Sequence, residues 1–342
     1  MPSEEPAYGW APDGPGEAGT AAPRRIQSVA DVRRFLASDC AADVQAFVAA
    51  VASACNGVPM AERKREFAER RAQARASQHQ SERDTSVLAV GAVVDELQRL
   101  QELADAHPPN PNADRRFGNP VYRQWHDGMA AAAVDAVTRV LPPEHRAKAE
   151  ELALYWRGAF GDRTRMDYGT GHELSFAALL YCLSKLDVVR STEAADVALV
   201  AFDAYLALTR HLQVAYNLEP AGSHGCWGLD DFAFLPFLFG AGQLMGGVGE
   251  AHDITVKAVV VDDRVAAMPS GEWLYVDAVQ YVMRVKTGGR LTETSPMLCD
   301  IAHGVTGWDK VFSGMKKMWA AEVLGKVPIM QHFVFGTMVP FV

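Results

Sequence analysis

Ser86-Val-Leu-Ala-Val-Gly-Ala-Val-Val-Asp-Glu-Leu-Gln-Arg-Leu-Gln-Glu-Leu-Ala-Asp-Ala-His107-Pro-Pro109 carries the plainest structural signal in the chain. Its apolar residues Val87, Val90, Val93, Val94, Leu97, Leu100 and Leu103 recur at intervals of three and four, which stacks them on one face of an α-helix. His107-Pro108-Pro109 stops that helix, because proline has no N–H to donate and its ring clashes with the preceding turn. The same period appears on either side. Upstream it runs from Val29 to Cys55 through Val32, Phe35, Leu36, Val44, Phe47, Val48 and Val51, closed by Asn56-Gly57 and Pro59. Downstream, Asn119-Pro120 opens a helix with Val121, Trp125, Met129, Val134, Val137 and Leu141 on one face, and Pro142-Pro143 ends it. Residues 144–160, 174–189, 194–216, 229–244, 273–285 and 308–324 repeat the pattern. Only residues 254–261 and 333–342 read as strands, and nothing repeats at the roughly 20–50-residue period of a solenoid. The spacing predicts an all-α protein, a single compact helical domain with sub-lobes.

The chain has 342 residues, 49% hydrophobic and 22% charged, enough to bury a sizeable core and too apolar for a disordered polymer. Its 33 Lys and Arg against 42 Asp and Glu leave a net charge of −9. That balance argues against nucleic acid as the main partner, since phosphate binding needs a concentrated basic face. No apolar run approaches the roughly 20 residues that span a bilayer, so no membrane partner is expected. Residues 1–23 hold five Pro and four Gly with almost no large apolar group, and they lack the basic-then-apolar order of a signal peptide. Such a segment cannot offset its ordering entropy. A disordered leader over 1–23 and a folded domain over 24–342 are expected. Cys40, Cys55, Cys182, Cys226 and Cys299 are scattered and form no C-x-x-C pair, which excludes a cysteine zinc knuckle. A reduced, intracellular protein follows, cytoplasmic with the nucleus also open to it. Residues 61–84 interleave seven Lys/Arg with five Asp/Glu, which reads as a solvated helix rather than a nucleic-acid arm.

Three interruptions of the helical pattern gather Gly, small polar and charged residues beside apolar elements, where sites usually sit. In Gly161-Asp-Arg-Thr-Arg-Met-Asp-Tyr-Gly-Thr-Gly-His-Glu173, Gly169 and Gly171 admit close approach of a ligand. The helix that follows presents unpaired N–H groups, Thr170 adds a hydroxyl, and Arg163 and Arg165 add positive charge. The set suits an anionic group such as a nucleotide phosphate; the competing reading is an ordinary helix cap with an Arg165–Asp167 pair. There is no Walker A loop, and His172-Glu173 fails as a zinc-protease motif because the residue four beyond His172 is Phe176. In Glu219-Pro-Ala-Gly-Ser-His-Gly-Cys-Trp-Gly-Leu-Asp-Asp231, oxygen ligands on a glycine turn suit Mg²⁺. The plainer reading makes Asp230 or Asp231 the cap of a helix beginning near Phe232. Trp227 in the same loop suits an aromatic groove for a proline-containing peptide. No spacing marks a Ser–His–Asp triad, so no catalytic nucleophile is assigned. The third interruption is Pro328-Ile-Met-Gln-His-Phe-Val-Phe-Gly336.

Arg116-Phe-Gly-Asn-Pro-Val-Tyr122, Asp167-Tyr-Gly-Thr-Gly-His-Glu173, the 219–231 string and Gln331-His-Phe-Val-Phe-Gly336 together resemble the phosphotyrosyl phosphatase activator family. Its members are also called protein phosphatase 2A activators and are grouped with peptidyl-prolyl isomerases. The likeness runs from about residue 25 to the C-terminus. It implies core, linker and lid sub-lobes, ATP with Mg²⁺ between them, and the catalytic subunit of protein phosphatase 2A as partner. By motif it implies that Arg165, Thr170 and Gly171 contact the phosphates, that Gly225 (through its carbonyl) and Asp231 hold Mg²⁺, and that Ile329, Met330 and Gln331 line the nucleotide pocket. It raises the anion-site reading of the first loop above the cap alone.

The function expected is activation of protein phosphatase 2A toward its metal-loaded form, with Trp227 and Asp230 beside the partner groove. The alternative is prolyl cis/trans isomerisation, which needs an apolar groove to lower an amide barrier of roughly 18–20 kcal/mol. A freestanding ATPase is disfavoured because the candidate loops offer Arg but no Lys to the phosphates, so any hydrolysis is expected to need the partner. All of these readings require the two glycine turns to meet across one cleft.

Overall fold

Ser28 sets the first helix. Its side-chain oxygen accepts the Asp31 N–H at 3.2 Å while the Asp31 carboxylate accepts the Ser28 N–H at 3.0 Å, a capping box that starts α1 (Val29–Leu36). Ser38 caps α2 (Asp39–Ala54) by accepting the Ala41 N–H at 3.2 Å, so the periodic run from Val29 to Cys55 is two helices rather than one. The computed structural model describes residues 25–77, 84–114, 116–222, 225, 228–247, 253–261 and 267–341. The leader expected over 1–23 lies outside them.

There follow α3 (Met60–Ala76), α4 (Thr85–Ala106), α5 (Tyr122–Val140), α6 (Ala149–Gly158) and α7 (Thr170–Lys185). Next come α8 (Ala194–Asp196) and α9 (Asp203–Ala215), joined by the π-helical turn Val197–Phe202. The chain ends with α10 (Leu235–Gln243), α11 (Ala258–Val261), α12 (Leu274–Val285), α13 (Leu291–Thr294), α14 (Pro296–Gly304), α15 (Trp308–Trp319) and α16 (Val327–Met330). The protein is all-α, as the spacing predicts, and its helices share one hydrophobic core. At the centre lies α10, buried along its length and packed against α2, α12 and α15.

Three expectations are corrected. Residues 254–261 contain α11 rather than a strand, and 333–341 form irregular chain. There, apolar spacing reflects aromatic packing instead of strand pairing: the Phe335 ring meets Phe35 at 5.1 Å and the Phe333 ring meets Tyr155 at 5.9 Å. The charge-dense helix α3 is only partly solvated, because Arg63 Nε donates to Asp196 Oδ1 at 2.7 Å and Arg70 joins the same carboxylate. Asp196 is fully buried, and a buried carboxylate needs such partners.

Candidate functional site: a cleft between two glycine turns

The two glycine turns meet. Asp167–Tyr168 (β1) and Glu219–Pro220 (β2) pair in parallel, Asp167 opposite Glu219 and Tyr168 opposite Pro220. The Glu219 N–H donates to the Met166 carbonyl at 3.0 Å and the Ala221 N–H to the Tyr168 carbonyl at 2.8 Å. A Cβ on Gly169 would lie 2.4 Å from the Ala221 carbonyl oxygen, so glycine is what allows this approach. Below the pair, the Tyr168 and Tyr205 hydroxyls lie 2.7 Å apart, and Tyr205 donates to the Ala159 carbonyl at 2.6 Å. These bonds tie the turns to α6 and α9.

Beside the paired turns opens a cleft of about 240 Å³. Its polar lining is Thr170, Asp230, Asp231 and Glu322; its apolar walls include Leu229, Phe234, Met297, Met318, Val323 and Ile329. Of the residues singled out in the sequence, Thr170, Asp230, Asp231 and Ile329 are thus brought together. Gly171 lies against the same wall, since a Cβ there would meet Ile329 Cγ2 at 3.3 Å. Met330 is buried in the core, and Gln331 turns back to donate to the Pro328 carbonyl at 3.3 Å. Arg165 does not line the cleft; its Nε donates to Asp167 at 2.6 Å and its Nη1 is 3.2 Å from Asp162. That is the Arg165–Asp167 pair of the plainer reading, and it leaves the side chain about a third exposed. Gly225 is exposed with φ +57°, and its carbonyl accepts the Gly228 N–H at 3.1 Å. Trp227 lies outside the described residues, as do Ser223, His224 and Cys226.

The helix after the second turn begins at Leu235, later than expected, and neither aspartate caps it. The cap is Glu173, whose carboxylate accepts the Phe234 N–H at 2.9 Å and the Leu235 N–H at 3.0 Å. Burial pushes Glu173 up to about 8, against the pull of those two N–H groups. Asp230 instead accepts the Phe232 N–H at 3.4 Å. His172 is a satisfied histidine, its Nδ1 2.7 Å from the Gly158 carbonyl.

Every carboxylate lining the cleft has a basic residue near it. Lys286 Nζ is 3.2 Å from Asp231 Oδ1, and Lys326 Nζ is 3.1 Å from Glu322 Oε2. Asp230 is pushed up to about 6 by burial, with the Arg210 charge pulling it down. Arg210 stands 4.3 Å over the Tyr281 ring, burial draws its own pKa down, and its Nη2 has no hydrogen-bond partner among the described residues. The sequence reading missed Lys286, Arg210 and the walls from α14 and α15. They belong to amphipathic helices and stand in no unusual string, so only the packing reveals them. A lysine does pair with a carboxylate of the cleft, from outside the glycine loops.

This all-α fold is shared with a solved structure and a known family. The chain belongs to the phosphotyrosyl phosphate activator (PTPA) protein family, whose profile matches residues 22–341. It is 38% identical over 321 residues to serine/threonine-protein phosphatase 2A activator 2 of Eremothecium gossypii, covering 94% of this chain and 82% of that one. It is 40% identical over 247 residues to serine/threonine-protein phosphatase 2A activator 2 of Cryptococcus neoformans, covering 72% of this chain and 62% of that one. The match thus spans about three-fifths of the Cryptococcus protein. The crystal structure of the PP2A phosphatase activator Ypa1 PTPA1 superposes with a TM-score of 0.78 at 30% identity, over 94% of this chain and 95% of that one.

Proposed function

We propose that this chain activates serine/threonine protein phosphatase 2A, holding Mg-ATP in the cleft and gripping the phosphatase catalytic subunit beside it so that the subunit's active, metal-loaded form is favoured. The observation that carries the reading is the pairing of β1 with β2, which sets the first turn of α7 facing Asp230 and Asp231 across one cleft. The names of the relatives point the same way.

The residues fit the ligand. The N–H groups of Thr170 and Gly171 find no acceptor among the described residues, which leaves them and the α7 dipole for phosphate oxygens. No group of three or more His, Cys, Asp and Glu that could hold a metal occurs among the described residues. A carboxylate with a backbone carbonyl is a donor set that suits Mg²⁺, which is commonly held by one or two carboxylates and completed by substrate phosphates and water. Asp231 and the Gly225 carbonyl would hold it, and it would offset the phosphate charge. The cleft is smaller than the roughly 300–1,000 Å³ of sites that engulf a ligand. One end of the nucleotide would be buried against Met297, Met318 and Ile329, with the phosphates across the open turns. Nothing in this arrangement calls for a nucleophile.

The test is phosphatase activation in a reconstituted mixture of catalytic subunit, Mg-ATP and this chain. Asp231→Ala should abolish activation, and full activation by that variant would overturn the assignment. The isomerase alternative needs Trp227 for its groove and Asp230 or His224 to orient the peptide; Trp227 and His224 lie outside the described residues, Asp230 accepts the Phe232 N–H, and the alternative gains no support from the cleft. Acceleration of prolyl-peptide isomerisation above background would revive it.

A further inference from the structure

Lys286 has an unusual setting for a lysine. It caps the C-terminus of α12, its N–H donating to the Val282 carbonyl at 2.9 Å, and its side chain is only 12% exposed. Lysine is seldom so covered unless it is paired. Here Nζ lies 3.2 Å from Asp231 Oδ1 and donates to the Thr294 carbonyl at 3.4 Å, so the ammonium sits among oxygen acceptors beside the cleft. Its root is fixed: the Leu274 N–H at the head of α12 donates to the buried Gln243 side chain at 2.9 Å, and Val282 is fully buried. The four-carbon stem beyond that root is flexible and can aim its charge at either of two neighbours.

The surrounding charges say what this does. Among the described residues, Lys286 faces Asp231, Lys326 faces Glu322 and the Arg210 charge acts on Asp230, so each acidic side chain of the cleft already has a cationic neighbour. A dication arriving alone would add two positive charges to a partly buried site and would compete with a cation already on Asp231. A dication arriving with a phosphate chain would not, because the chain offers Lys286 a new anion as it leaves Asp231. We propose that Lys286 is an internal counter-ion that the divalent cation displaces from Asp231 and that then contacts the phosphates, making cation binding conditional on the nucleotide. The proposal rests on the reading of Asp231 as the cation's ligand. It follows from linkage: a side chain that favours the carboxylate in one state and the phosphate anion in the other couples the two ligands.

Binding measurements on the full chain test it without any activity readout. Mn²⁺ alone is titrated by electron paramagnetic resonance, and ATP alone is titrated by calorimetry in EDTA. Lys286→Met and Lys286→Gln should both bind Mn²⁺ about ten-fold more tightly than wild type, because a competing like charge is gone. The same variants should bind metal-free ATP about ten-fold more weakly. These opposite signs are the expected result, and simple loss of fold would weaken both. Unchanged Mn²⁺ affinity in both variants overturns the proposal, as does a shift of the two ligands in the same direction in a variant whose thermal melt matches wild type. Asp231→Asn separates the layers. If it abolishes Mn²⁺ binding while the Lys286 variants match wild type, the lysine role alone falls; if it leaves Mn²⁺ binding intact, the cation site falls with it.

Discussion

Asp277, on α12, is 7% exposed, and its carboxylate accepts the Gly271 N–H at 2.9 Å. Burial outweighs that bond and the attraction of Arg210 and Lys64, and it pushes the carboxyl from 3.8 up to about 6. The native state therefore keeps a proton that the unfolded chain has already released. The stability this gives is complete below about pH 4 and is lost as pH rises through about 6. Asp277→Asn retains an oxygen acceptor and never ionises. Relative to its difference from wild type at pH 4, the variant should gain up to about 3 kcal/mol by pH 7, read from urea unfolding across that range. A difference that does not change with pH would mean that the carboxylate is ionised in the native state at little cost.

At the scale of elements, α10 shows how backbone proximity sets sequence. A Cβ on Gly240 would lie 2.2 Å from the Tyr275 backbone nitrogen, an atom that cannot swing aside. Gly240→Ala should force α10 from α12 and destabilise the protein by about 2 kcal/mol, overpacking outweighing the better helix propensity of alanine. Gly314, inside α15, would meet nothing within 4 Å, so Gly314→Ala should stabilise by about 0.5–1 kcal/mol. Opposite signs in thermal melts are the check; two losses would show that the room at Gly314 is not real. The helices were legible because each buries one face, and that leaves a period in the sequence. The start of α10 was not: Phe232 and Phe234 keep apolar spacing in a loop, and the cap is Glu173, distant along the chain. The same division runs through the cleft. Thr170 and Asp231 stood out because glycine turns interrupt a helical pattern, whereas Lys286, Arg210 and Met318 look like ordinary helix residues until α12, α9 and α15 pack.

Across the whole molecule, the cleft draws on α7, the second turn, α14, α15, the turn after it and α16, so its ligand would bridge segments from the middle and the end of the chain. The C-terminal segment is also latched to earlier helices: the Met338 N–H donates to Glu151 at 2.6 Å, and Lys185 Nζ donates to the Met338 carbonyl at 3.0 Å. A ligand held across such a construction stabilises every element that must separate on unfolding, not one loop. If Mg-ATP binds as proposed, free ligand at a hundred times its Kd adds about 2.7 kcal/mol to the native state. Spread over the unfolding entropy of a chain this long, that raises Tm by about 4 °C. Asp231→Asn should lose most of the Mg-dependent part of that rise, while Gly314→Ala, whose added Cβ would meet nothing within 4 Å, should keep all of it. A Tm indifferent to Mg-ATP at that excess would mean that the paired turns shape a cleft with no hold on the nucleotide, because no ligand can bind the folded chain preferentially and leave its unfolding equilibrium unmoved.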